Sequence, residues 1–174
     1  MEAMVSATLA FARDDARTAH RAPVDLARLL RELVADGTAR GQEASYAGPE
    51  SRVISGDALV LKRAFANLLD NAWRYGGAAR VTLIEREGRT RSCARGAHDI
   101  EVMVDDDGPG IAAAERENVF RPFYRLEGSR SRATGGTGLG LALARSAILA
   151  HGGTIALADR PEGGLSVSVA LPAP

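Results

Sequence analysis

Cysteine and lysine each occur once in this 174-residue chain, as Cys93 and Lys62. One cysteine rules out an internal disulfide and any zinc centre built on thiolates, and it fits a reducing compartment. One lysine, with no glycine run before it, rules out a Walker A loop. Net charge is absent too, because 22 basic and 22 acidic residues cancel. That balance argues against a nucleic-acid domain held by phosphate neutralisation. Long apolar runs are missing, and none approaches the roughly 18 residues of a membrane span. Glu2, Arg13, Asp14 and Asp15 interrupt the first 15 residues, so no secretory signal is expected there. The length suits one domain with a real core.

Glycine is present in quantity and in pattern. Residues 135–141 read Gly-Gly-Thr-Gly-Leu-Gly-Leu and lead into an apolar helical stretch over 142–150. Glycines let a backbone approach a ligand closely and adopt positive φ. The first turn of a helix carries unpaired N–H groups and partial positive charge, which suit phosphate. A plain tight loop is the competing description, and the alternation with Thr137 and Leu139 weakens it. Leu143 stands where the Rossmann fingerprint needs its third glycine, so that fold is excluded. Phosphate binding here requires a different nucleotide fold.

Periodicity sets out the rest. Residues 1–18 are predicted helical, with Met4, Val5, Leu9 and Phe11 among the apolar side chains. A break at 20–23 precedes a second predicted helix over 24–39. Short strands are expected at 44–47 and 52–54. Asp57 is a candidate N-cap for a helix over 58–75, with Leu59, Phe65, Leu68, Leu69 and Ala72 as its core face and Gly76-Gly77 as its stop. Residues 79–86 and 100–104 alternate as strands, separated by an Arg-rich polar loop over 87–98. A short helix is expected over 112–118. Residues 121–137 are polar and long for a plain connection, which makes them a candidate lid. A helix over 138–151 and a hairpin of 154–158 with 165–171 complete the order. The series predicts an α+β fold, a two-layer α/β sandwich whose mixed, mostly antiparallel sheet is covered on one face by helices.

Three further groups carry chemistry. Asn67, Asn71, Arg74 and Tyr75 fall on one helical stripe, offering amide oxygens, a guanidinium and a flat ring. Those groups suit magnesium, phosphate and a purine; a solvated polar face is the alternative. Asp105-Asp106-Asp107-Gly108-Pro109-Gly110-Ile111 follows a strand. It reads either as an acidic turn or as an aspartate placed to accept from a ligand amine. Phe120-Arg121-Pro122-Phe123-Tyr124-Arg125 comes next, with Phe120 and Phe123 as core anchors. Arg130 and Arg132 are either phosphate contacts or solvent-facing charges.

Together these pieces resemble one family. Asn67-Leu-Leu-Asp-Asn71-Ala-Trp-Arg-Tyr75 is similar to its N box, Asp106-Asp-Gly108-Pro-Gly110-Ile to its G1 box, Phe120-Arg-Pro-Phe123 to its F box and Gly136-Thr-Gly138-Leu-Gly140-Leu to its G2 box. The family is that of the bacterial sensor histidine kinases, and the match is to their ATP-binding catalytic domain of the Bergerat (GHKL) type, within the EnvZ-like group. The boxes span 67–141, and the flanking pattern extends the likeness over essentially the whole chain.

The resemblance implies ATP and Mg²⁺ as cofactors. Asn71 would ligate Mg²⁺, Asn67 would assist at the metal or phosphates, and Arg74 would contact phosphate. Tyr75 would pack on the adenine and Asp106 would accept from its amine, with Gly108 and Gly110 leaving space for the base. Gly138, Gly140 and Leu141 would present N–H groups to phosphate. Ile111, Phe120, Thr137 and Leu139 complete the implied nucleotide contacts, with Arg130 and Arg132 on a flexible ATP lid over 121–137. Alanine at Gly138 or Gly140 is expected to impair lid closure and phosphate binding.

The resemblance also implies a division of labour. Hydrolysing relatives such as Hsp90, MutL and gyrase place Glu where Asn67 stands, and Asn cannot act as general base. ATP would instead be held for a histidine on a helical hairpin. His20, His98 and His151 all lack the downstream proline of that acceptor motif, and His151-Gly152 reads as a helix C-terminus. Residues 1–18 are therefore expected to be the end of the dimerisation and phosphotransfer hairpin, and 19–174 the catalytic domain. Implied partners are the hairpin of the same kinase and an OmpR-like response regulator, with no nucleic acid and no membrane contact by this piece. The implied setting is the cytoplasmic part of an inner-membrane kinase, homodimeric when whole, with this fragment a monomer. A rapid ATPase, a degenerate docking module and an anti-sigma serine kinase are the rival readings.

Overall fold

The computed structural model describes residues 21–85, 100–126 and 137–173. The predicted helix at 1–18, the loop at 87–98 and both lid arginines, Arg130 and Arg132, lie outside the described residues.

The chain runs β1 (Ala22–Asp25), α1 (Leu26–Ala39), β2 (Glu43–Ala47), β3 (Val53–Gly56), α2 (Ala58–Gly76), β4 (Ala78–Glu85) and β5 (Ile100–Asp105). Two 3₁₀ turns follow, Ala113–Glu115 and Asn118–Phe120, then α3 (Gly140–Ala150), β6 (Thr154–Asp159) and β7 (Leu165–Leu171). Five strands form one sheet in the order β2-β4-β5-β7-β6. Among the described residues only β2 and β4 pair in parallel. The sheet is thus mixed and mostly antiparallel, as the sequence predicts.

Alternation fixes its buried face. Tyr46, Val81, Val104, Val167 and Leu157 stand opposite one another in a row across all five strands. Leu83, Val102, Val169 and Ile155 form the next row. A one-residue slip would turn both rows outward, so register is strongly specified. The helices cover these rows with Leu30, Leu61, Phe65, Leu68, Leu69 and Ile148, all buried in one continuous core.

Four expectations need correction. Val24 and Asp25 do not begin α1; they pair with Ile54 and Val53 in a separate two-stranded sheet, β1–β3. Asp25 is the N-cap instead. Its Oδ1 accepts from the Arg28 and Arg52 N–H groups at 3.1 and 3.0 Å, and its Oδ2 from the Ser51 hydroxyl at 2.8 Å. Those bonds, the Arg52 amide first, hold its carboxyl below the ordinary value. Leu59 is not a core residue of α2 but is 49% exposed, while Leu61 is fully buried. At 100° per residue, Leu59 lies about 120° off the stripe through Phe65, and Leu61 lies about 40° from it. The segment 112–118 forms two 3₁₀ turns rather than an α-helix, with no side-chain cap on either. Finally, α3 starts at Gly140, because Gly138 has φ 70°.

The other helix ends follow the sequence. Asp57 caps α2 by accepting from Leu59 and Val60, and Gly77 closes it in the left-handed region. His151 ends α3 and is buried. Its Nε2 accepts the Asp57 N–H at 3.0 Å, and its Nδ1 lies 2.7 Å from the Ala147 carbonyl. These partners assign the ring's proton to Nδ1. One neutral imidazole therefore ties the start of α2 to the end of α3.

Candidate functional site

A cleft of about 600 Å³ opens between α2, the turn after β5 and the N-terminus of α3, and Leu165 and Val167 of β7 also line it. From α2 it receives Asn67, Asn71, Arg74 and Tyr75; from the turn, Asp106, Gly110 and Ile111; from the far wall, Thr137, Gly138, Leu139, Gly140 and Leu141. Twelve of the predicted site residues thus share one cavity. Tyr124, Arg125 and Leu126 also line it.

Two predicted residues stand elsewhere. Phe120 is buried in the core, with the Arg145 guanidinium 4.9 Å from its ring centre, and does not line the cleft. Gly108 does not line it either. A Cβ at 108 would meet Asp106 Oδ1 and the Tyr75 carbonyl, both at 2.9 Å. Its small size makes room for the protein's own backbone.

Asp106 occupies the inner end of the cleft and is 5% exposed. Its Oδ1 accepts from the Gly108 N–H at 2.8 Å and the Leu165 N–H at 3.3 Å. Among the described residues Oδ2 has no hydrogen-bond partner, so it remains able to accept from a ligand. Burial raises the carboxyl above its ordinary value, and the two amide donors partly offset that. Asp107 moves the other way, lowered by Arg80 first and then by Arg160.

Two glycines that the sequence does not mark as site residues make this placement feasible. A Cβ on Gly76, in the last turn of α2, would come within 2.5 Å of the Asp106 Cβ. A Cβ on Gly164 would collide with the Asp106 carbonyl oxygen. Sequence spacing identifies Gly76 only as part of a helix stop and Gly164 only as part of a hairpin turn. Their proximity to Asp106 exists only once the sheet is assembled.

The opposite end is built differently. Leu139, the residue before α3, supplies no side-chain cap. The first-turn N–H groups of α3 therefore lack intrahelical partners, and Gly140 and Leu141 of that turn line the cleft. Gly138 sits beside Phe123, whose N–H donates to the Gly138 carbonyl at 2.9 Å. Phe123 itself has φ 65°, the single non-glycine with positive φ among the described residues. The two glycines of this wall are not equivalent. A Cβ on Gly138 would press on the Phe123 and Tyr124 backbone at 2.9 Å, whereas one on Gly140 would only touch Asn67 at 3.8 Å.

The donor set fits a nucleoside triphosphate with a hard cation. Among the described residues no group of three or more His, Cys, Asp or Glu forms a metal cage. A cation here would rely on the Asn71 and Asn67 amide oxygens together with ligand phosphates and water, the mode Mg²⁺ favours. An uncapped helix N-terminus suits phosphate, and the free Oδ2 of Asp106 suits an exocyclic amine. No helix among the described residues is long and apolar enough to cross a membrane.

Fold and cleft together place the chain in a class. It belongs to the family of histidine kinase-, DNA gyrase B-, and HSP90-like ATPases, whose pattern matches residues 56–174. Within that family it is similar to the signal transduction histidine-protein kinase BaeS of Escherichia coli K12, at 36% identity over 173 residues, covering 94% of this chain and 34% of BaeS. The ATP binding domain of PrrB from Mycobacterium tuberculosis superposes with a TM-score of 0.67 at 26% identity, covering 88% of this chain and 98% of that one. Full-length ShkA, solved in complex with AMPPNP, superposes with a TM-score of 0.71 at 28% identity, covering 99% of this chain and 36% of that one. The chain spans about a third of the length of the curated relatives it matches. Membership supports ATP binding, and the relatives support a kinase role in two-component signalling.

Proposed function

We propose that this chain is the catalytic domain of a sensor histidine kinase. It binds Mg–ATP in the cleft and donates the γ-phosphate to a histidine on a separate phosphotransfer hairpin, for relay to a response regulator. The observation that carries the reading is one cavity with three recognition ends: the Asn67–Asn71 stripe, the uncapped start of α3 and the free Oδ2 of Asp106. AMPPNP bound to the similar ShkA chain supports it.

Each residue then has a task. Asp106 accepts from the adenine amine, while Tyr75 and Ile111 pack on the ring. Asn71 and Asn67 would hold Mg²⁺ through their amide oxygens, and the ion would supply charge neutralisation at the phosphates. Arg74 and the Gly140 and Leu141 N–H groups orient the phosphate chain. Asn67 gives water no general base, so ATP waits for the histidine rather than hydrolysing. The whole kinase is a homodimer at the inner membrane with this domain in the cytoplasm, and residues 1–18 are the end of its hairpin.

The test mixes this chain with a phosphotransfer hairpin, Mg²⁺ and γ-labelled ATP. Acid-labile label on the hairpin histidine, and none on the chain alone, is the expected result. Failure to bind ATP would mark a degenerate docking module. Rapid steady-state turnover without the hairpin would mark an ATPase.

A further inference from the structure

Arg160 belongs to none of the four motifs, yet it reaches the backbone of Asp106 at the inner end of the site. It begins the turn between β6 and β7, and its side chain is 15% exposed. Nη1 donates to the Asp106 carbonyl at 2.9 Å and to Asp107 Oδ1 at 2.8 Å. Nε lies 3.8 Å from Asp105 Oδ2. One guanidinium thus meets all three consecutive acids, whereas Arg80 pairs with Asp107 alone among them.

The same peptide is held from the other side by β7. The Asp106 N–H donates to the Leu165 carbonyl at 2.9 Å, and Oδ1 accepts the Leu165 and Gly108 N–H groups. The carbonyl that Arg160 grips is wedged against Gly164, where no Cβ fits. Main chain and carboxylate are therefore fixed together, and the direction of Oδ2 follows. Without Arg160 the carbonyl loses its side-chain donor, and three neighbouring acids lose their shared cation.

We infer that Arg160 is a positioning residue for adenine recognition, aiming the Asp106 carboxylate at the base's exocyclic amine through the Asp106 peptide. The inference rests on the proposed reading of the cleft as an adenine nucleotide site. A structural role alone would weaken every nucleotide equally; a positioning role acts on the amine.

The test is calorimetry on the 174-residue chain with Mg–ATP and with purine riboside triphosphate, which lacks the amine. Wild type is expected to prefer ATP. Arg160→Gln should weaken ATP roughly fivefold to tenfold and leave the analogue within about twofold. Asp106→Asn should narrow the preference too, and the double variant should lose no more than Asp106→Asn alone. Equal loss for both nucleotides, or additive losses in the double variant, would overturn the inference. Should Arg160→Gln fail to fold by thermal melting, Arg160→Lys keeps the charge without the fork. Partial narrowing supports the inference, and an unchanged preference overturns it. A wild type that binds neither nucleotide defeats the reading of the cleft and this inference together. One that binds both equally leaves the nucleotide site standing and removes only the amine contact, and this inference with it.

Discussion

The inner end of the cleft, around Asp106, and the outer end, around α3, solve recognition in opposite ways. At the inner end the Asp106 peptide and one carboxylate oxygen are committed: two amides on Oδ1, Leu165 and Arg160 on the peptide, and Gly76 and Gly164 packed where no Cβ fits. At the outer end the helix start is uncapped, and Phe123 in the left-handed region adjoins Gly138. Rigid contacts discriminate, because a misfitting group leaves buried partners unpaired. Open N–H groups accept charge wherever phosphate brings it. On the proposed reading, the difference teaches that base choice is built into the folded scaffold, while phosphate binding is left to groups that still need a partner.

Gly164→Ala attacks the inner end most directly. The new methyl would displace the Asp106 carbonyl, and φ 99° at 164 adds backbone strain. A loss of about 2–4 kcal/mol is expected from overpacking and strain, read by urea unfolding. Wild-type stability would show that the inner end is not rigid.

The outer end is sharpened by a pair. Gly138→Ala should cost about 1–2 kcal/mol from its left-handed backbone alone and weaken ATP binding. Gly140→Ala lies in a helical first turn with ordinary clearance, so it should be neutral or up to about 1 kcal/mol stabilising. Comparable losses in ATP affinity for both variants would restore the equivalence expected from the sequence.

The smallest effect lies away from the cleft. Asp25→Ala removes the cap of α1 and should cost about 1 kcal/mol. Asp25 is lowered in the fold, so its contribution is complete above the ordinary value of 3.8 and is lost as pH falls through the lower folded value. Asp106 has the opposite sign. Folding raises it, so its burial penalty is relieved as pH falls through the raised value toward 3.8. Acid unfolding of the Asp25→Ala variant should therefore show less loss below pH 3.8 than wild type.

Most of this architecture is legible along the chain because strand alternation and helix caps are local. The rows through Val81, Val104 and Val167, and the Asp57 and Gly77 ends of α2, follow from residues a few positions apart. Twelve cleft residues were legible for the same reason, as motifs carried on single elements. Gly76, Gly164 and Arg160 were not, because their importance is contact with Asp106 across 30, 58 and 54 positions. β3 was expected at 52–54, but its partner β1 escaped because a four-residue strand leaves too little alternation to separate Val24 from the helix that follows.

His151 gives the two cleft helices a mechanical relation. As the cap that follows α3 it accepts from Asp57, the residue before α2, and the helices then run antiparallel away from this pin until Gly140 passes Asn67. At 1.5 Å per residue that crossing lies about 15 Å from the pin. The imidazole joins two packed arms, one bearing the amides proposed for the cation and the other the N–H groups proposed for phosphate. A pivot of about 4° at the joint would move the tips about 1 Å, enough to make or lose a hydrogen bond.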